Sequence, residues 1–164
     1  MAINERVSRL LEQYRIEYEL LPHREAFTSQ EIAQSVHVPG RMLAKVVVVR
    51  EPSGGHLMVV VPAACRVDLD VLTRQTGRPG LVLADEEELR RLFPDCELGA
   101  MPPFGRLYDM PMVLDRCVEK APVIFFQAGN HHEVVRMKTE AFLELARPLA
   151  GEFCVCGEEA RAKG

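Results

Sequence analysis

Met42-Leu43-Ala44-Lys45-Val46-Val47-Val48-Val49 is the stretch that most limits how this chain can fold. Seven of its eight residues are apolar and four are consecutive valines, so crowding at χ1 predicts a buried strand. Lys45 interrupts it. An ammonium on an interior strand is costly unless it is paired or opens into a cleft. The alternative is that Lys45 lies near the strand's start and reaches water along its own aliphatic stem. Alternation puts Leu43, Lys45, Val47 and Val49 on one face, so a functional Lys45 requires a polar cleft there.

The flanking chain supplies the rest of a mixed α/β domain. Val7, Leu10, Leu11 and Tyr14 fall at helical spacing behind a cap at Asn4, and residues 16–21 read as a short strand. Thr28-Ser29-Gln30-Glu31 has the capping-box pattern, so Thr28 is first of all a cap, and the helix it opens stops before Pro39-Gly40. The loop Glu51-Pro52-Ser53-Gly54-Gly55 predicts a hairpin between Leu43–Arg50 and His56–Val61. Asp68 caps a helix ending at Gly77, a short strand covers Leu81–Leu83, and Asp85 to Glu88 repeats the capping box. Strands are predicted at Pro111–Asp115, Val123–Gln127 and Glu133–Met137, followed by a helix capped by Thr139. The expected organisation is one domain over residues 1–150 and a polar tail over 151–164, where Cys154-Val155-Cys156 is expected to be loose and dispensable.

Composition excludes several function classes. Hydrophobic residues make up 48% and charged residues 27%, which is ordinary for a water-soluble globular chain. No segment is apolar for the length a bilayer requires, and the first residues lack a signal-peptide core, so a cytoplasmic location is expected. Five cysteines without framework spacing fit a reducing compartment rather than a disulfide scaffold. Net charge is −4, with ten Lys/Arg against nine Asp/Glu in residues 1–82 and ten against fifteen in 83–164. That balance does not suit a protein gripping a long duplex by its phosphates, so no DNA partner is expected, whereas local contact with a short piece of nucleic acid is compatible with it.

His131 and His132 are adjacent and would point to opposite faces of an extended segment, and Cys154 and Cys156 lack a second pair at finger-like spacing, so no metal site is predicted. No cysteine stands in a catalytic signature, and neither a phosphate-binding glycine loop nor a serine elbow is present. What remains is Lys45, the apolar loop Leu98-Gly99-Ala100-Met101-Pro102-Pro103-Phe104-Gly105, and the turn Gly129 to His132. These parts suit positioning and electrostatic stabilisation of a polar substrate, without a covalent intermediate.

The same parts carry a resemblance. From about residue 5 to residue 149 the chain resembles the YbaK-like aminoacyl-tRNA deacylases, relatives of the editing domain of bacterial prolyl-tRNA synthetase. The matching features are His23 through Ala33, Lys45 in the valine strand, Val59-Val60-Val61-Pro62-Ala63, the Gly99-to-Pro103 loop with Phe104-Gly105, Asp115 after a strand, and Ala128-Gly129-Asn130. The resemblance implies a mixed sheet curved into a partial barrel with helices around it. It also implies hydrolysis of mischarged tRNA, usually tRNA for proline, by water or a substrate group and without a cofactor.

Carried residue by residue, the resemblance makes Lys45 the central functional residue and gives Gly99 and Ala100 the role of amide donors to the substrate carbonyl. Thr28, Met101, Pro103, Asp115, Gly129, Asn130 and His131 become candidates for lining the substrate site or gripping the terminal adenosine. Two departures leave the amino acid open. Alanine-removing members commonly carry a polar residue after the lysine and a histidine in the late glycine loop, where this chain has Val46 and Asn130. Cysteine-removing members have a Gly-Gly-small-Ser-Pro loop in place of Gly99 to Pro103. The expected protein is a free-standing editing hydrolase whose partners are the acceptor end of aminoacyl-tRNA and a synthetase that delivers it. The rival is a non-catalytic module that recognises tRNA ends or nucleotides.

Overall fold

The computed structural model describes residues 3–22 and 43–156. The valine stretch forms strand β2 (Ala44–Arg50), paired antiparallel with β3 (His56–Pro62) from Ala44 opposite Pro62 to Arg50 opposite His56. The Glu51–Gly55 loop closes the hairpin through Glu51 N–H to the Gly55 carbonyl at 2.8 Å. A short β5 (Val82–Leu83) extends the sheet beyond β2, while β6 (Met112–Asp115) and β9 (Leu149–Gly151) add in parallel beyond β3. The resulting order is β5-β2-β3-β6-β9. Parallel neighbours need long crossovers, and the intervening helices and loops supply them.

A second, antiparallel sheet contains β1 (Glu19–Pro22), β8 (Glu133–Lys138) and β7 (Val123–Gln127), in the order β1-β8-β7. Leu43 bridges Phe125 in parallel, so the two sheets meet where the Lys45 strand begins. The expected mixed α/β architecture is therefore present.

Capping chemistry places the helices. Asn4 accepts the amides of Arg6 at 2.9 Å and Val7 at 3.4 Å at the start of α1 (Glu5–Gln13), which buries Val7, Leu10 and Leu11. Asp68 caps α2 (Leu69–Thr76), which ends at left-handed Gly77, and Asp85 with Glu88 forms the predicted capping box of α3 (Glu86–Leu92). Asp115 caps a one-turn α4 (Arg116–Glu119). For α5 (Thr139–Ala146) the expected cap is corrected. Lys138 holds the cap position without a side-chain bond, and Thr139 lies inside the helix with its buried hydroxyl lacking a partner among the described residues.

The faces of the β2–β3 hairpin bury different cores. Ala44, Val48, Met58 and Val60 join a large cluster with α1, α5 and the Phe104, Phe126 and Phe142 rings, whose centroids lie 5.4–6.0 Å apart. Val49, Leu57, Val59 and Val61 face a second cluster with Leu72, Leu81, Val113 and Phe153.

The reading of the tail is corrected. Residues 154–156 form β10 (Cys154–Cys156), antiparallel to β4 (Cys65–Val67), and Phe153 is 3% exposed in the second core. Cys156 sits opposite Cys65, where paired residues share a face, and the two form a disulfide. The expectation of reduced cysteines therefore fails for this pair, and so does the expectation of a loose tail over the described residues 151–156. A three-residue strand is too short to show a period in sequence.

Candidate active site

Lys45 meets the condition set by its strand position. It is half-buried and lines an open cleft of about 630 Å³ with Arg66, Asp68, Asp70, Val47, Leu83 and Val155 among the other lining residues. Alternation along β2 turns it, with Val47 and Val49, away from the Ala44–Val48 core. Burial, followed by the nearby Arg66 guanidinium, holds its pKa below the usual lysine range, and Cys154 acts in the opposite sense. Among the described residues no carboxylate lies within ion-pair distance of either Lys45 or Arg66. Two neighbouring cations on a partly apolar wall suit an anionic group: a phosphate, or a carbonyl oxygen gaining charge during reaction. Arg66 escaped the sequence reading because β4, which carries it, is only three residues long.

The glycine loop and the late turn form a separate knot. The Gly129 amide donates to the Ala100 carbonyl at 2.7 Å, and the Glu97 amide donates to the Gly129 carbonyl at 2.8 Å. Gly129 has φ +103°, and a β-carbon there would lie 2.8 Å from Asn4 Cβ, so only glycine fits without displacement. His131 is buried beneath Gly99. Its backbone amide donates to Glu97 Oε2 at 3.0 Å, its Nε2–H to the Leu98 carbonyl at 2.7 Å, and its Nδ1 accepts from Gln127 at 3.2 Å. Asn130 Oδ1 accepts the amides of His132 at 2.8 Å and Glu133 at 3.0 Å, which fixes the turn.

This arrangement revises several expected roles. The Ala100 amide is already donated to the Glu97 carbonyl at 3.0 Å and Ala100 is fully buried, so in this conformation it does not present its amide to a substrate. Gly99, exposed at φ +87°, is the loop position that faces outward. Asn130 and His131 support the turn, and Met101 and Pro103 are buried, Met101 in the large core. None of these residues lines the Lys45 cleft. Asp115 belongs to a third place: its carboxylate accepts the amides of Cys117 at 2.9 Å, Phe153 at 3.0 Å and Cys154 at 3.1 Å, which pins the last strand. Thr28 and the other features expected between His23 and Met42 lie outside the described residues.

With fold and cleft in place, comparison with known proteins assigns a class. A family profile described as the aminoacyl-tRNA editing domain matches residues 23–145. The chain belongs to that family. A search of curated proteins gave no match. Among solved structures, a candidate trans-editing enzyme for prolyl tRNA synthetase is 26% identical, with a TM-score of 0.77 over 92% of this chain and 95% of that one. The hypothetical protein APE2540 is 20% identical with a TM-score of 0.83, covering 92% of this chain and all of its own. A candidate signal transduction protein from Marinobacter aquaeolei VT8, 20% identical with a TM-score of 0.71, shares the fold over 91% of this chain and 30% of its own.

Proposed function

We propose that the protein is a free-standing, cytoplasmic editing hydrolase that cleaves the ester of mischarged tRNA, with tRNA for proline as the carrier. The observation that carries the reading is Lys45: an ammonium on a valine strand of an editing-family domain, facing an open cleft beside Arg66. In this reading water adds to the ester carbonyl, Lys45 offsets the charge that develops on its oxygen, and collapse releases the amino acid and the terminal ribose hydroxyl. Arg66 holds a phosphate of the acceptor end. Gly99 enters only through the motif it shares with the family. A cysteine nucleophile is disfavoured at Cys154, near the lysine, because burial and then the Asp115 carboxylate push its thiol far above the usual range.

The acidic chain, and a cleft where Asp68 and Asp70 accompany Lys45 and Arg66, favour recognition confined to the acceptor end, with a synthetase delivering the substrate. The rival reading, a binding module, draws support from the signal transduction protein, where this fold makes up 30% of a longer chain. Turnover separates the two. Trace protein incubated with excess mischarged tRNA, across a panel of amino acids, should release many equivalents of amino acid per chain. Protection of the ester in proportion to protein concentration would instead establish a binder.

A further inference from the structure

The β4–β10 ribbon has two faces with different chemistry. Arg66 and Val155, central in their strands, line the Lys45 cleft. Cys154 and Cys156, two residues apart on one strand, share a face with each other and with Cys65, the register partner of Cys156. The sulfur atoms of Cys65, Cys154 and Cys156 all lie within 4.8 Å of one another, and those of Cys154 and Cys156 are 3.5 Å apart. A tetrahedral zinc with bonds of about 2.3 Å to sulfur separates its thiolates by roughly 3.8 Å. Cys154 and Cys156 are already near that spacing, and Cys65 and Cys156 part to reach it once their bond is reduced. A fourth donor stands beside it. Cys117, exposed on the first turn of α4, has its sulfur within 4.8 Å of that of Cys154, as has the Asp115 carboxylate. The Cys117 thiol bonds the Asp115 carboxylate and the Cys154 sulfur, so it already stands at the edge of the trio.

We infer that the reduced chain binds one zinc-class divalent cation between β4, β10 and α4, held by Cys65, Cys154 and Cys156 with Cys117 as the fourth ligand. Thiolate donors in a tetrahedral set select zinc over harder ions. In the structure Cys65 and Cys156 are joined, so loading begins with a dithiol reductant, which leaves two protein thiols and becomes a cyclic disulfide itself. The cation then replaces the protons of its thiol ligands, and these pass to solvent. Disulfide and metal are two ways of holding the same strand against β4.

The test uses the full chain, reduced with excess dithiol, desalted without oxygen and titrated with cobalt(II). Cobalt should bind one per chain with sulfur-to-metal charge-transfer absorption and the intense visible bands of a tetrahedral thiolate site, and zinc should bleach them. C154S should abolish the bands, C117S should shift them as one sulfur is lost, and C96S should leave them unchanged. C117S alters an exposed helix position and keeps the test valid if C154S fails to fold. Weak octahedral bands alone in the reduced wild type, bands unaltered in C117S, or a Cys65–Cys156 bond that survives excess dithiol would each overturn the inference.

Discussion

One oxygen of the Asp115 carboxylate accepts the amide of Phe153 at 3.0 Å, across 38 residues of chain, and so fixes where the final strand begins. The same oxygen takes the Cys154 amide and the other takes that of Cys117. Asp115→Ala leaves the buried Phe153 amide and the part-buried amides of Cys117 and Cys154 without this partner, and a loss of about 1–3 kcal/mol is expected. Urea melts of wild type and variant measure it. Hydrogen exchange should quicken first at residues 153–156, and equal protection there would show that the carboxylate does not hold the strand. Truncation after Gly151 should likewise lower the melting temperature, because it strips Phe153 from the second core.

Lys45→Ala should separate activity from stability. Removing one preorganised stabiliser of a developing oxyanion costs about 2.7–4 kcal/mol, roughly a hundred- to a thousand-fold in single-turnover deacylation. Lys45→Arg should also be slow, since a planar fork on a longer stem cannot place its charge where the ammonium sat. Neither should melt below wild type, because each relieves or preserves a costly burial. A variant that melts early yet keeps full activity would make the lysine structural.

The pH dependence of that comparison has a definite sign. The folded pKa of Lys45 lies below its ordinary value of 10.5, so the folded state pays for the charge at neutral pH. As pH rises through the folded pKa toward 10.5, the unfolded chain holds more protons and wild type gains stability. The advantage of Lys45→Met over wild type should therefore shrink across that window and be gone above it. A constant difference in melting temperature from pH 7 to 11 would contradict it.

Glu88 governs the acid side. It is buried, bonds His56 Nε2 at 2.9 Å and pairs with Arg50, and it returns a bond to the Asp85 amide at 3.2 Å. The His56 bond, against the opposing effect of burial, holds its carboxyl below the ordinary value of 4.5. Its contribution is present above pH 4.5 and is lost as pH falls through the lower folded value. Glu88→Gln should flatten that part of the acid denaturation profile, and an unchanged profile would show that the triad is not the acid-labile tie.

Gly129→Ala should destabilise more than Gly54→Ala, although both positions have positive φ. A β-carbon at Gly129 meets Asn4 at 2.8 Å, whereas nothing lies within 4 Å of one at Gly54. The expected cost at Gly129 is about 1–3 kcal/mol from backbone strain alone, with the clash in addition. Parallel thermal melts of the two variants check the ranking.

Sequence patterns foretold what local chemistry controls. Asn4, Asp68 and the Asp85–Glu88 box announced their helices because a cap needs only neighbouring amides. The valine run announced a strand, and its lysine left two readings open, a cleft or a stem reaching water, of which the structure shows the cleft. What stayed hidden depends on distant partners. Arg66 reaches the cleft only because β4 turns back beside Lys45, and Cys65 meets Cys156 across 91 residues. His131 and Asn130 were candidates for lining the substrate site, yet the fold buries both in the support of their turn.

Among the described residues the ribbon that walls the cleft shares no ladder with the five-stranded sheet, and Asp115 and Phe153 tie its other side to the core. An evolving sequence could therefore exchange Arg66 or Val155 without repacking the valine hairpin behind them. On the proposed function, selectivity can drift on the cleft-facing side of that ribbon while the ammonium stays on the hairpin.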